Sequence, residues 1–138
     1  MFNNELAAAR DYQAAARVAL AARVEGSRID EHQRAAHGFA WIATSVAALE
    51  ATAAWAARSG TALDHAVARL AFAETLAQLV GGLPMGQNEI VRPADFNLGQ
   101  AARTLAEACV HLIDADHAEA RAEIAAALAS GLWPSDSF

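Results

Sequence analysis

The polar residues best placed to do chemistry lie together in one glycine- and proline-rich segment, GGLPMGQNEIVRPADFNLG (81–99). Arg92 could pair with an anionic group such as a carboxylate or a phosphate, and Gln87, Asn88 and Glu89 could take part in binding the same small molecule. A loop of this composition must also satisfy its own backbone groups, so the same side chains could pin the loop or contact a partner chain. All three roles remain open for them at this point.

Patterns for metal binding and nucleophilic catalysis are weak. A di-iron helical bundle needs a Glu-x-x-His motif from each of two helices, and this motif does not occur. Glu107 and His111 share a helical face but provide two ligands at most, and we expect them at a solvated helix end. Cys109 has no histidine or basic residue one turn away, which predicts an inert buried thiol. We therefore predict no metal, no cofactor and no catalytic residue.

Composition favours an all-α protein that does not bind nucleic acid. Hydrophobic residues make up 55% of the chain, most of them alanine, and only 3 prolines occur. The net charge is −6 and all 10 basic residues are dispersed arginines, so a phosphate backbone would be repelled. Alanine and arginine richness is typical of a GC-rich bacterial genome. The N-terminus lacks a basic signal-peptide region, which predicts a cytoplasmic location.

The stretch 27–58 predicts a long central helix around which the others pack. It has no proline, and Glu50 is its only charge between His37 and Arg58, so we expect nearly its whole circumference to be buried. Trp41 and Trp55 project from one side of it. We predict no transmembrane span, because alanine rather than leucine fills positions 38–57.

The remaining chain predicts further helices at 3–26, 62–80, 98–113 and 118–129. We expect Asn3 or Asn4 to cap the helix at 3–26, Thr61 with Asp64 to cap the helix at 62–80, and Asn97 to cap the helix at 98–113. We expect Asp114 and Asp116 to cap the helix at 118–129. Glu74 falls between the apolar stripes of the helix at 62–80, so it must either reach the edge of the bundle or find a partner such as Arg69 or Gln78. The predicted fold is a single all-α domain, residues 1–138: an up-and-down bundle of four to five helices, with an ordered loop at 81–97.

Two segments together resemble a known family. HQRAAHGFAWIAT (32–44) and GGLPMGQNEIVRPADF (81–96) resemble the N-terminal helical extension of (2S)-methylsuccinyl-CoA dehydrogenase-like proteins, in the acyl-CoA dehydrogenase superfamily. The resemblance covers about a hundred residues and includes no catalytic motif of that family. The flavin-binding β-strand motifs are absent, so neither FAD nor dehydrogenation is implied for any residue. The resemblance implies a free-standing accessory domain, acting beside a separately encoded dehydrogenase.

The leading hypothesis is a non-catalytic accessory or oligomerisation domain, which forms a homo-oligomer or docks on an acyl-CoA dehydrogenase-like protein. The alternative is a small-molecule binder or enzyme, for an acyl-CoA or another anion, with a pocket between the bundle and the loop 81–97. Enzymatic activity is thus left open, with a non-catalytic role favoured. The residues expected to contact a ligand or partner are Trp41, Glu74, Met85, Gln87, Glu89 and Arg92.

Overall fold

The computed structural model describes residues 1–24 and 29–134, and it confirms the predicted all-α bundle. The elements are α1 (Asn3–Arg23), a 3-10 turn (Ile29–His32) that leads into α2 (Gln33–Ser59), α3 (Ala62–Gly81), the short strands β1 (Leu83–Pro84) and β2 (Ile90–Val91), a second 3-10 turn (Pro93–Phe96), α4 (Gly99–Ile113) and α5 (Ala118–Ala129). Positions 27 and 28 of the predicted central helix lie outside the described residues.

Helices α1 to α4 form a closed four-membered ring. Each helix packs against the one before and after it in the chain, and α4 closes the ring by packing on α1. This arrangement, in which helices consecutive in the chain are neighbours in space, is that of an up-and-down bundle. Helix α5 lies outside the ring against α3, and none of its residues is buried.

Helix α2, the longest at 27 residues, buries one face only. Its buried stripe includes Ile42, Val46 and Leu49, which join the core. Its opposite face is exposed at Ala40, Trp41, Thr44, Ala47, Ala48, Ala51 and Ala54. The expectation that nearly the whole circumference is buried is therefore wrong, because a helix in a four-membered ring has only two helical neighbours.

The stretch Ile29–Ser59 is the one helix in the described part of the chain that is long and apolar enough to cross a membrane, with a mean hydropathy of 1.2. Core helices of soluble proteins pass the same test, so the length and composition are weak evidence for a span. In this fold the helix packs on α1 and α3.

Two of the predicted helix starts are confirmed by local hydrogen bonds. Thr61 Oγ1 accepts a bond from the Asp64 backbone N–H at 3.1 Å, and its hydroxyl donates to Asp64 Oδ2 at 2.6 Å. At the start of α5 the N-cap residue is His117, which makes no side-chain cap bond, and Asp116 just before it accepts a bond from the Ala118 N–H at 2.8 Å. Both Thr61 and Asp116 therefore satisfy N–H groups that have no partner inside the helix.

Two other predicted caps are wrong. No asparagine caps α1: its N-cap residue is Phe2, which is left-handed (φ 63°) and makes no side-chain cap bond. The Phe2 ring instead stacks on Phe72 at 4.0 Å between centroids. Asn97 does not cap α4 either, since it is left-handed (φ 59°) and ends the preceding 3-10 turn. Helix α4 begins one residue later than predicted, after Leu98.

The predicted ordered loop contains an antiparallel hairpin that the sequence patterns did not predict. Leu83 pairs with Val91 and Pro84 with Ile90, and the Met85 N–H donates to the Glu89 carbonyl at 2.8 Å. Strands of two residues are too short to show the alternating pattern by which a strand is recognised.

The hairpin packs on the N-terminal part of α2, and the point of contact on the helix is Gly38. A Cβ atom at Gly38 would lie 2.8 Å from Val91 Cγ2 and 3.5 Å from Phe96 Cε2. The Arg34 Nη2 group adds a hydrogen bond of 3.0 Å to the Ile90 carbonyl, across 56 residues of sequence. Close packing at Gly38 therefore brings the 32–44 and 81–96 segments together at one end of the bundle.

We predict that Gly38→Ala destabilises the protein by about 1 kcal/mol. Overpacking costs ~1–3 kcal/mol, and the better helix propensity of alanine offsets ~1 kcal/mol of that. Urea denaturation measures the change. Gly86→Ala is the matched control, because a Cβ at Gly86 meets nothing within 4 Å. In a Val91→Ala background the Gly38 change should become neutral or stabilising, and an equal loss in both backgrounds would contradict the contact.

Burial shifts the pKa of two groups in the described part of the core, Tyr12 and Cys109. Burial raises the pKa of Tyr12 to about 12. Burial and the nearby charge of Glu5 raise the pKa of Cys109 from its ordinary 9.0 to about 11. The burial of Cys109 agrees with the predicted inert thiol. The chain has no lysine, so few other side chains titrate in this range.

We predict that stability falls as pH rises from 9 to 11, the window set by Cys109. There the unfolded chain loses the thiol proton and the native protein keeps it, so each pH unit lowers the unfolding free energy by up to about 1.4 kcal/mol. Urea denaturation across this window measures the slope. Cys109→Ala should flatten it, leaving the contribution of Tyr12 above its ordinary pKa of 10.0. If the Cys109→Ala variant shows the same slope of unfolding free energy against pH, the slope does not come from Cys109.

Candidate functional site

A cavity of about 240 Å³ lies where the hairpin meets the bundle. Its walls come from the end of α1, the start of α2, the hairpin and the second 3-10 turn. Its lining residues are Arg23, Glu31, His32, Arg34, Ala35, Met85, Val91, Asp95 and Phe96. The segments 32–44 and 81–96, which carry the family resemblance, together supply seven of these nine residues.

The cavity combines an apolar wall with charged groups. Met85, Val91 and Phe96 are buried and form the apolar part. Two arginines and two carboxylates, with His32, form the polar part. An apolar pocket with a few convergent polar groups is the usual form of a small-molecule site.

Most of these charges already have partners. Asp95 Oδ2 accepts the Arg92 backbone N–H at 2.8 Å and lies 3.9 Å from Arg34 Nη2. Arg34 is also bonded to the Ile90 carbonyl, and Glu31 has an interaction partner of its own. Arg23 differs, since its guanidinium carbon lies 5.3 Å from the centre of the Phe96 ring in a cation–π contact.

The four predicted contact residues in the loop do not form one site. Met85 lines the cavity. Gln87 and Glu89 are exposed in the hairpin turn. Arg92 is also exposed, and its side chain borders a separate shallow groove between the ends of α3 and α4. Only one of these four residues therefore contributes to the cavity.

The two predicted residues on helices lie elsewhere. Trp41 is on α2 with 39% of its surface exposed, and its Nε1–H donates to His37 Nε2 at 2.9 Å. Glu74 is exposed on α3 and accepts a hydrogen bond from Arg121 Nη2 of α5 at 2.8 Å. Glu74 thus reaches the surface, which is one of its two predicted outcomes, and its partner is Arg121 instead of Arg69 or Gln78, because the sequence did not reveal that α5 packs beside it.

Sequence reasoning missed the residues that give the cavity its charge and its ring: Arg23, Arg34 and Phe96. They come from three separate segments, and a single sequence carries no signal that joins them. A local signal existed for the neighbouring residue Asp95, which follows Arg92 by three positions and caps the 3-10 turn. Within residues 1–24 and 29–134, no group of three or more His, Cys, Asp or Glu side chains is placed to hold a metal ion.

Comparison with known proteins relates part of this chain to part of a dehydrogenase. It is 36% identical over 102 residues to a (2S)-methylsuccinyl-CoA dehydrogenase of Cereibacter sphaeroides, a match that takes in 67% of this chain and 19% of that protein. No family model matches the chain, and no solved structure matches it. The chain thus spans about a fifth of the relative's length. This match supports a partial relation to the acyl-CoA dehydrogenase family.

Proposed function

We propose that this chain is a cytoplasmic helical accessory module of an acyl-CoA dehydrogenase-like system, and that it acts by protein contact. The supporting observation is that the similarity takes in 67% of this chain but only 19% of the dehydrogenase. A segment of that relative is therefore related to a helical bundle here. Docking on a dehydrogenase-like protein is the primary form of the proposal, and self-association is the second.

The surface we assign to this contact is the exposed side of α2, called here the α2 outer face: Ala40, Trp41, Thr44, Ala47, Ala48, Ala51 and Ala54. It carries no charged residue. Alanine side chains let the backbone of a partner helix approach closely, since the distance between helix axes depends on the side chains at the contact. Trp41 adds an aromatic group of the kind enriched in binding hot spots.

We predict that Ala47→Glu on the α2 outer face weakens association at least tenfold, because a carboxylate would be buried without a partner. Ala14→Glu is the matched control, since Ala14 is an exposed alanine of α1. A pull-down of acyl-CoA dehydrogenases from the same genome measures docking, and size-exclusion chromatography with light scattering measures self-association. The proposal fails if the wild-type chain is monomeric and retains no dehydrogenase. Equal effects of the two substitutions would reject the α2 outer face.

A second function, small-molecule binding, is favoured by one observation: a cavity lies between the hairpin and the bundle. At about 240 Å³ it is smaller than the ~300–1,000 Å³ typical of pockets for drug-sized ligands. A complete acyl-CoA or flavin is therefore too large for it. Any ligand held inside is a small molecule or the end of a larger one.

A further inference from the structure

We propose that the cavity beneath the hairpin binds a short-chain organic carboxylate, with Arg23 as its charge partner. This inference rests on the second proposed function and specifies its ligand class. It is independent of docking through the α2 outer face.

The apolar wall suits an alkyl chain. Met85, Val91 and Phe96 line the cavity but expose only 7%, 5% and 2% of their surfaces, so the apolar contact that they offer is small and matches a short alkyl chain. Burial of alkyl groups contributes about 0.8 kcal/mol per methylene. An inorganic anion has no apolar part and gains nothing from this wall.

Arg23 supplies a positive charge that can still pair with the carboxylate of a ligand. Within residues 1–24 and 29–134 its guanidinium makes the cation–π contact with Phe96 and no hydrogen bond or ion pair. A guanidinium placed over an aromatic ring still has N–H donors at its edge, in the fork geometry that matches a carboxylate. The ligand's alkyl group and its carboxylate would therefore meet Phe96 and Arg23 side by side.

The other charged residues that line the cavity do not neutralise the positive charge of Arg23. Asp95 accepts a backbone N–H and lies beside Arg34, which makes the pair close to neutral. Glu31 is engaged in an interaction of its own. His32 adds no negative charge in either protonation state. Among the described residues, Arg23 is thus the cation of the cavity lining that has no anionic partner, and a carboxylate entering the cavity meets it.

The volume limits the ligand's length. About 240 Å³ corresponds to roughly eight water molecules at ~30 Å³ each. This space fits an acid with a short carbon chain but not a whole nucleotide or a whole long-chain fatty acid. A glutamate side chain from a partner protein has the same carboxylate chemistry, and the test below separates it from a free ligand.

Butyrate is the probe for the first experiment, with butyramide as its neutral equivalent and inorganic phosphate as an anion without an alkyl group. We expect backbone amide shifts in the NMR spectrum of the ¹⁵N-labelled protein to saturate with butyrate at a Kd of about 1 mM. The shifts should map to the end of α1 and the hairpin. Butyramide should bind at least tenfold more weakly. Phosphate shifting the same amides equally would reveal only an adventitious ion and would overturn the proposal.

Arg23→Gln tests the charge partner, and we expect it to weaken butyrate binding at least tenfold while leaving butyramide binding unchanged. Arg17→Gln, on the same helix and outside the cavity lining, is the matched control. Equal butyrate affinity in both variants would overturn the assignment of Arg23. If butyramide binds the cavity and butyrate does not, small-molecule binding survives and the carboxylate assignment fails. If neither butyrate nor butyramide binds, both small-molecule binding and the carboxylate assignment are rejected. Amide shifts at the end of α1 and the hairpin that appear only when a dehydrogenase partner docks would instead favour a side chain of that partner in the cavity.

Discussion

The contact between Gly38 and Val91 is the constraint on which this end of the molecule depends. Only a residue without a side chain allows Val91 to lie so close to α2, at a distance where a Cβ atom would be 2.8 Å away. That approach seats the hairpin, places Phe96 against α2 and lets Arg34 reach the Ile90 carbonyl. The cavity is the space left under the seated hairpin, so its shape depends on the same contact.

The sequence predicted the helices well because their signals are local. The Thr61–Asp64 pair and Asp116 mark the starts of α3 and α5 by hydrogen bonds within three residues. Prediction failed where a distant contact decided the conformation. Phe2 occupies the N-cap position of α1 without a cap bond while its ring stacks on Phe72, and α2 is half exposed because it has only two helical neighbours in the ring.

The candidate site was harder to predict because proximity in sequence is a poor guide to proximity in space. Gln87 and Glu89 were grouped with Arg92 as neighbours in one loop, yet the hairpin turn holds the first two in solvent. Arg23 and Phe96 are far apart in sequence, but the fold places one over the other. The loop was identified correctly as ordered, while the side chains that its ordering brings together depend on tertiary packing.

The composition of α2 explains how one helix can serve both the fold and a reversible contact. Its buried stripe uses Ile42, Val46 and Leu49, whose burial stabilises the bundle. Its outer face uses mainly alanine, which exposes little apolar area per residue. Such a face costs less in water than one of leucines, and it still lets another helix pack closely when one is present. An ion pair joins α2 to α1 (Arg10–Glu50, 2.6 Å) and a hydrogen bond joins α4 to α1 (His111–Glu5, 2.9 Å), so these polar groups lie at contacts between helices and not on the α2 outer face.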